Sequence, residues 1–129
     1  MEDVSDRTSW TIERHGADVR RGRWEATVVA VDPGGEVAAL AHVEGTSTSA
    51  SAALSLQVVA EMPPPDVAGD LAREAVRVAT EFGATRIVVA LDPCDRVAHD
   101  AIEASALDWR LLATGGSAYA EVTVSTPGD

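Results

Sequence analysis

The sequence predicts an α/β domain of the α+β kind, in which a mixed, mostly antiparallel sheet carries two helices. Two β-hairpins, one in each half of the chain, supply most of the antiparallel strands. Between them a strand, a proline-rich loop, an amphipathic helix and a buried strand follow one another over residues 54–91. The 129 residues are enough to bury one core. We expect residues 1–23 to form an N-terminal arm or edge strand, residues 24–125 a single domain and residues 126–129 a tail.

The first hairpin lies within residues 24–43. Two apolar runs, 25–31 and 36–43, flank the turn sequence Asp-Pro-Gly-Gly. Both faces of the second run are largely apolar, so we expect a sheet that is covered on both sides. Upstream, residues 10–14 alternate weakly and predict a short strand, and residues 15–23 form a glycine-containing loop with a cluster of arginines.

Two segments, 66–82 and 95–106, have the apolar periodicity of helices. Asp66 stands where the first helix begins, and its carboxylate is expected to cap that helix. Asp92 and Pro93 are the expected N-cap and first residue of the second helix. Between the helices, the apolar run 87–91 predicts a buried central strand, parallel to the strand that precedes the first helix. Residues 109–113 and 118–124 then form the closing hairpin.

Composition excludes several classes of function. The formal charge is −11, which argues against nucleic acid or an anionic membrane as the main partner. All ten basic residues are arginine, so no lysine can act as a nucleophile or form a Schiff base. The single cysteine, Cys94, rules out an internal disulfide and fits a cytoplasmic location. No apolar run has the ~18 residues that a membrane span needs, and the polar N-terminus is unlike a signal peptide.

The order of elements and two motif spacings resemble the GCN5-related N-acetyltransferase (GNAT) superfamily, over residues 24–124. The cofactor loop of that family reads V-x-P-x-x-R-G-x-G-x-G, and residues 59–69 match it in length, with Val59 and Gly69 retained. A later family helix reads N-x-x-A-x-x-x-Y-x-x-x-G-F, and residues 95–107 match that spacing with Ala98 retained. The resemblance implies acetyl-CoA or another acyl-CoA as cofactor, an amine as acceptor, and a sheet that splays open before strand 87–91.

The same comparison shows where the chain departs from the family. Pro64 and Pro65 stand at the Arg and first Gly positions of the loop, and proline has no N–H to offer a pyrophosphate. Asp66 adds a carboxylate where the anion would sit, and Val67 replaces another glycine. Ile102 stands at the position of the tyrosine that protonates the departing thiolate in the family. The helices that precede the first hairpin in the family are reduced or absent here.

The candidate site residues follow from both lines of reasoning. Val59 and Gly69 are the retained cofactor-binding positions, and Arg20 and Arg21 are candidates to meet the pyrophosphate by side chain. Glu61 and His42 are candidate general bases for an amine, although each also fits an ordinary strand residue. The three histidines lack the spacing of metal ligands, so no metal site is expected. Cys94 lies near a helix start, flanked by aspartates that oppose activation of its thiol.

Three hypotheses therefore remain from the sequence. The first is a GNAT-like domain that has lost cofactor binding and acts as a non-catalytic interaction or regulatory subunit, with a protein partner or as a homodimer. Under this hypothesis the missing helices leave apolar sheet surface exposed, at Ala26, Val28 and Ala30 or their neighbours, and a partner can cover it. The second is an active N-acyltransferase with an atypical CoA site. The third is an unrelated α+β binding module, distinguished by a sheet that stays fully paired.

Overall fold

Within the part of the chain that the structure describes, seven strands form one sheet in the order β1-β2-β3-β4-β5-β7-β6, and two helices pack on it. The computed structural model describes residues 10–91, 96–114 and 117–124. The strands are β1 (Thr11–Arg20), β2 (Arg23–Val31), β3 (Val37–Thr46), β4 (Ser51–Val58), β5 (Arg86–Leu91), β6 (Arg110–Thr114) and β7 (Ser117–Thr123), and the helices are α1 (Pro65–Glu81) and α2 (Arg96–Ala104). All neighbouring strands are antiparallel except β4 and β5, which are parallel. The mixed, mostly antiparallel sheet expected from the sequence is confirmed.

The N-terminal edge strand is longer than predicted. β1 continues to Arg20 and pairs with β2 along its whole length, so the loop expected over residues 15–23 is wrong. A register shift between Arg14 and Gly16 marks a bulge that lets the strand continue past this point. The reversal is a two-residue turn at Arg21 and Gly22, with φ of 51° and 79°, which is the backbone that tight hairpins require.

The predicted hairpin of residues 24–43 is confirmed as β2 and β3. Its turn is closed by Asp32, whose backbone carbonyl accepts from the Gly35 N–H at 2.9 Å and whose Oδ1 accepts from the Glu36 N–H at 2.9 Å. β4 begins at Ser51 and ends at Val58, earlier than residues 54–62 suggested. Beyond Val58 the N–H groups of Val59 and Ala60 both donate to the carbonyl of Ala38, at 2.8 and 3.1 Å. Two donors on one acceptor form a bulge, which turns the chain out of the sheet.

Both helices begin and end close to their predicted bounds. α1 covers Pro65–Glu81 against the predicted 66–82, and α2 covers Arg96–Ala104 against 95–106. The apolar face of α1, which includes Leu71 and Ala75, is fully buried against the sheet. The expected cap Asp92 and the cysteine Cys94 lie outside the described residues.

The two helices pack against each other and lie on the same face of the sheet. Ala26, Val28 and Ala30 point to that face and are buried beneath α1, so the prediction that they form exposed apolar surface is wrong. The alternate residues of the same sheet region, among them Thr27 and His42, are half-buried on the other face. The sheet was expected to be covered on both sides, but both described helices pack on one face of it.

The sheet opens between its two parallel strands. β4 and β5 are paired only from Ser51 with Arg86 to Leu54 with Val89, although β4 continues to Val58 and β5 to Leu91. The strands therefore diverge beyond Leu54, as the GNAT resemblance predicted. This opening contradicts the fully paired sheet that an unrelated α+β module was expected to have.

Candidate functional site

The opening between β4 and β5 is the candidate site. Beyond Leu54, one side of β4 faces no neighbouring strand for four residues, which is roughly 13 Å of chain. An extended ligand with amide groups can pair with such an edge as an added strand does. Exposed apolar side chains occur where the unpaired part of β4 ends, at Val58, Val59 and Met62. These three residues are called the mouth of the opening. The site therefore offers a polar backbone edge and an apolar mouth.

α1 begins after the chain leaves the unpaired end of β4, and its first turn bears on what can bind there. The N-cap residue is Pro64, with φ −57° and ψ 150°, and the first helical residue is Pro65. Neither has an N–H. The N–H of Val67 donates to Oδ1 of Asp66 at 3.0 Å, and the N–H of Ala68 donates to the carbonyl of Pro64 at 2.9 Å. The first turn therefore lacks the N–H groups of two residues, uses those of Val67 and Ala68 within the helix, and carries a carboxylate.

The position of Asp66 corrects one detail of the sequence analysis. Asp66 lies inside the first turn and not at the N-cap, and no side chain caps the helix. Its charge still lies at the positive end of the helix dipole, where a carboxylate is favoured by ~0.3–1 kcal/mol and a second anion is repelled. The residues at this helix start do not fit a diphosphate, because the amide donors and the positive charge that would hold it are missing or already used.

The two retained family positions have structural roles of their own. Val59 is half-exposed, and its N–H is bonded to β3 through the carbonyl of Ala38, not directed into the opening. Gly69 is buried where α1 crosses the end of α2, and a Cβ at this position would lie 2.5 Å from the backbone of Ala104. Close helix packing is therefore sufficient reason for a glycine at position 69. A cofactor-binding role for either residue stays a prediction.

The arginine cluster does not reach the opening. Arg20 and Arg21 lie where β1 turns into β2, at the end of the sheet where β4 begins. The start of α1 follows the opposite end of β4, roughly 20 Å away along an eight-residue strand. Arg20 lies 3.4 Å from Asp18 of its own strand. The placement therefore gives no support to the prediction that Arg20 and Arg21 meet a pyrophosphate.

Arg14, the nearest arginine before this cluster, forms ion pairs with two glutamates of α1. It donates to Glu74 at 2.6 Å and, through both terminal nitrogens, to Glu81 at 2.9 and 2.8 Å, which ties the edge strand β1 to α1. The hydrogen bonds from Arg14 hold the pKa of the Glu81 carboxyl below its ordinary value. The same pairing raises the pKa of Arg14 further above its ordinary range. This ion-pair network is structural and leaves little of the charge of Arg14 for a ligand.

His42 has a partner that the sequence analysis missed. Its Nε2 lies 2.8 Å from Oε1 of Glu25, on the sheet face that carries no helix. Ser55, the first β4 residue beyond the last β4–β5 pair, lies directly across from His42. Tyr119 lies on the same face across from Ala90, the first β5 residue beyond that pair. This pairing could not be counted back from the Asp-Pro-Gly-Gly turn, because the register of β2 against β3 shifts between Ala30 and Val31.

Glu61 is not brought together with His42. It lies exposed after the end of β4, between the strand and the prolines. At about 3.3 Å per residue, the end of β4 at Val58 is already roughly 10 Å from Ser55, which faces His42. The two candidate bases therefore do not form one site, and only His42 lies beside the point where β4 and β5 separate.

The described residues offer neither a metal site nor a membrane-spanning helix. Among the described residues, no group of three His, Cys, Asp or Glu side chains is arranged to hold a metal ion. Neither described helix has the length and apolarity that a bilayer crossing requires. Cys94, the remaining nucleophile of the sequence analysis, lies outside the described residues.

Solved structures share this architecture. The GNAT domain of S. lividans PAT matches with TM-score 0.62 and 18% identity over 78% of this chain and 61% of that chain. A GNAT superfamily phosphinothricin acetyltransferase from Sinorhizobium meliloti, in complex with AcCoA, matches with TM-score 0.58 and 16% identity over 78% and 62%. A GCN5-related N-acetyltransferase from Kribbella flavida matches with TM-score 0.58 and 19% identity over 78% and 68%.

The chain spans only about three fifths of the first two of these proteins. No protein-family model matches the sequence, and a search of curated proteins finds no match. The assignment therefore depends on the strand order, the splay between the two parallel strands, and the helix that follows the first of them. These features, together with the structural matches, show that the chain has the fold of the GNAT acetyltransferases.

Proposed function

We propose that this domain is a GNAT-fold protein that acts by binding a protein partner, as a non-catalytic interaction or regulatory subunit, and not by acyl transfer. The observation that carries the proposal is the first turn of α1. There, Pro64 and Pro65 remove two amide donors, and Asp66 occupies the positive end of the helix with its own carboxylate. A helix start of this kind does not bind a diphosphate.

The rest of the opening supports binding of another kind. The gap between β4 and β5 is retained, so an extended chain can still enter it. The exposed side chains at its mouth, Val58, Val59 and Met62, are apolar, as at a protein interface. Coenzyme A carries several negative charges, and the chain itself has a formal charge of −11. Charge and contact chemistry therefore favour a peptide or protein over a nucleotide-containing cofactor.

The proposal also includes the setting in which the domain works. With so acidic a surface, nucleic acid and anionic membranes are unfavourable partners. The single cysteine fits a reducing compartment, and we place the protein in the cytoplasm. Fractionation of cells that express the tagged full chain tests this location, and recovery in the membrane or nucleic-acid fraction would contradict it.

The decisive experiment is titration with acetyl-CoA. We expect no heat in calorimetry and no thermal shift at millimolar acetyl-CoA for the natural sequence. A ligand present at 100 times its dissociation constant would add ~2.7 kcal/mol to the free energy of unfolding, which a melting curve detects readily. Micromolar binding by the unmodified chain would overturn the proposal.

A restoring variant makes a negative titration informative. Replacing Pro64→Arg, Pro65→Gly and Asp66→Ala together returns two amide donors and a positive charge to the start of α1. We expect this triple variant to gain measurable affinity for acetyl-CoA. Asp70→Ala is the matched control, because it removes the same charge one turn later on α1 and restores no N–H. A gain in affinity by the control as well as by the triple variant would show that net charge, and not the first turn, excludes the cofactor.

A second candidate function is an active N-acyltransferase with an atypical cofactor site. It is favoured by the pair of Glu25 and His42, in which the carboxylate can orient the imidazole as a general base for an amine. The pair lies beside Ser55, where β4 leaves β5. Release of free thiol from acetyl-CoA in the presence of a panel of amines tests this function. Turnover that falls on both His42→Ala and Glu25→Gln, with folding unchanged, would establish it.

A further inference from the structure

The strand β6 forms an edge of the sheet, and its backbone hydrogen-bonding groups follow a definite pattern. The N–H of Val124 donates to the carbonyl of Thr85 at 2.8 Å, next to the pair of Thr123 with Arg86. In an antiparallel ladder, bonded and non-bonded pairs alternate. The even-numbered residues of β7 therefore bond to β5, and the odd-numbered residues bond to β6.

This alternation determines which backbone N–H and C=O groups of β6 do not bond to β7. Arg110, Leu112 and Thr114 lie across from the odd-numbered residues of β7, so their N–H and C=O groups point into the sheet. Leu111 and Ala113 then direct both their N–H and their C=O groups away from β7, toward the outside. The edge thus presents two donors and two acceptors within three residues.

These groups are complementary to a second copy of themselves. If two β6 strands pair antiparallel about a two-fold axis through Leu112, Leu111 lies across from Ala113 of the other copy, and Ala113 lies across from Leu111. Both are bonded-type pairs, so four hydrogen bonds form and none of the outward groups is left unpaired. A shift of the register by one residue would bring outward-facing groups against inward-facing ones.

The side chains and charges agree with this pairing. Leu111 is 72% exposed and borders an apolar groove whose other lining includes Leu91, Ala113 and Ala118. In the symmetric register, Leu111 of each copy packs beside Ala113 of the other. β6 contains one arginine and no carboxylate, so this edge adds no negative charge of its own to a contact between two copies of an acidic chain.

The opposite edge of the sheet lacks these properties. β1 contains Glu13, Arg14, Asp18 and Arg20, and a bulge interrupts its register. Charged residues and bulges are the devices by which proteins block pairing at an edge strand. The only large apolar side chain among the exposed ones on this edge of the described chain is Val19, which is 61% exposed.

We propose that two copies of this chain form a symmetric dimer by antiparallel pairing of their β6 strands, centred on Leu112, to give a continuous fourteen-stranded sheet. This inference concerns a different surface from the β4–β5 opening. It therefore does not depend on whether acetyl-CoA binds.

Analytical ultracentrifugation of the full chain across a concentration series tests the proposal. We expect a dimer for the natural sequence and monomers for Leu111→Lys, since a lysine on an edge strand opposes pairing. Val19→Lys is the matched control on the other edge and is expected to remain dimeric. A natural sequence that stays monomeric at high concentration, a dimeric Leu111→Lys or a monomeric Val19→Lys would each overturn the proposal.

Amide hydrogen exchange gives a second readout that does not need a variant. The amides of Leu111 and Ala113 are expected to become protected as the protein concentration rises, because they bond only across the dimer. The Leu112 amide bonds to β7 within one copy, so its protection is expected to stay the same at every protein concentration. Equal behaviour of all three amides would contradict the register even if a dimer forms.

Discussion

The two halves of the sheet are built differently, although one fold contains both. The first half, β1–β4 with α1, has strands of eight to ten residues, and its edge strand is tied to α1 by ion pairs from Arg14. The second half, β5–β7 with α2, has strands of five to seven residues and ends at an edge where Leu111 is exposed. Four residue pairs between β4 and β5 and the crossing of the two helices join the halves.

This difference assigns separate roles to the halves. The first half contains the longest ladders and the aromatic stack of Trp24 on Phe82, with ring centroids 4.8 Å apart, so it carries most of the stability. The second half has shorter ladders and a surface suited to association. Regions of low local stability are commonly those that bind or rearrange. Substitutions in each half and at their junction test this division.

The largest expected effect comes from removing the aromatic side chain that anchors the first half. Trp24→Ala deletes a buried indole and its stack on Phe82, and we expect a loss of ~3–5 kcal/mol in the free energy of unfolding. Trp109 of the second half is only half-buried, and its Nε1 donates to Ser105 Oγ at 2.9 Å. Trp109→Ala should cost clearly less. Urea unfolding measures both, and equal losses would contradict the division.

The junction between the halves is tested at Gly69. A Cβ there would lie 2.5 Å from the backbone of Ala104, so the helices must separate to accept even alanine. We expect Gly69→Ala to destabilise by ~1–3 kcal/mol, in spite of the better helix propensity of alanine. Gly16→Ala is the control, because a Cβ at that position meets nothing within 4 Å. A Gly69→Ala variant as stable as the natural sequence would show that the junction is loose.

A gain of stability is expected in the second half. Ala106 follows α2 with φ of 62°, a backbone conformation that glycine adopts without the steric cost of a Cβ. We expect Ala106→Gly to raise the free energy of unfolding by ~0.5–1 kcal/mol. Gly83 has φ of 97°, so Gly83→Ala should act in the opposite direction. Thermal melts compare the pair, and a loss on Ala106→Gly would mean that the methyl group packs usefully.

The smallest effect is a pH dependence in the first half. The pKa of Glu81 is lowered in the folded state by the hydrogen bonds from Arg14, so this pair stabilises the fold above the ordinary carboxyl pKa. That contribution is lost as the pH falls through the lowered folded pKa. Arg14→Met should therefore flatten the acid limb of a stability profile, whereas Arg20→Met, at the other end of β1, should leave it unchanged. Identical profiles for both variants would contradict the ion-pair assignment.

Local patterns predicted much of this fold. The bounds of α1 were predicted within one residue, since its apolar positions recur at helical spacing, and the β2–β3 hairpin followed from its Asp-Pro-Gly-Gly turn. The length of β1 was missed because Gly16 and the arginines that follow indicated a loop, and the alternation over residues 17–20 is too short to mark a strand by itself. Their pairing depends on β2 lying beside them.

The candidate site was harder to predict because it depends on distances across the chain. Loss of amide donors at Pro64 and Pro65 could be read directly, as it needs only the residue type. The pairing of His42 with Glu25 and the remoteness of Arg20 from α1 could not, because both follow from strand order and register. Gly69 shows a further limit, since helix packing and ligand binding can demand the same residue.

The covalent path between the halves is a single short crossing at residues 82–85, anchored where the N–H groups of Thr85 and Arg86 both donate to the carbonyl of Ala50. A backbone cut there would leave two fragments that meet along one brief ladder and one helix crossing. Such a break point makes the chain a natural scaffold for fragment complementation, in which reassembly reports that two fused proteins have come together.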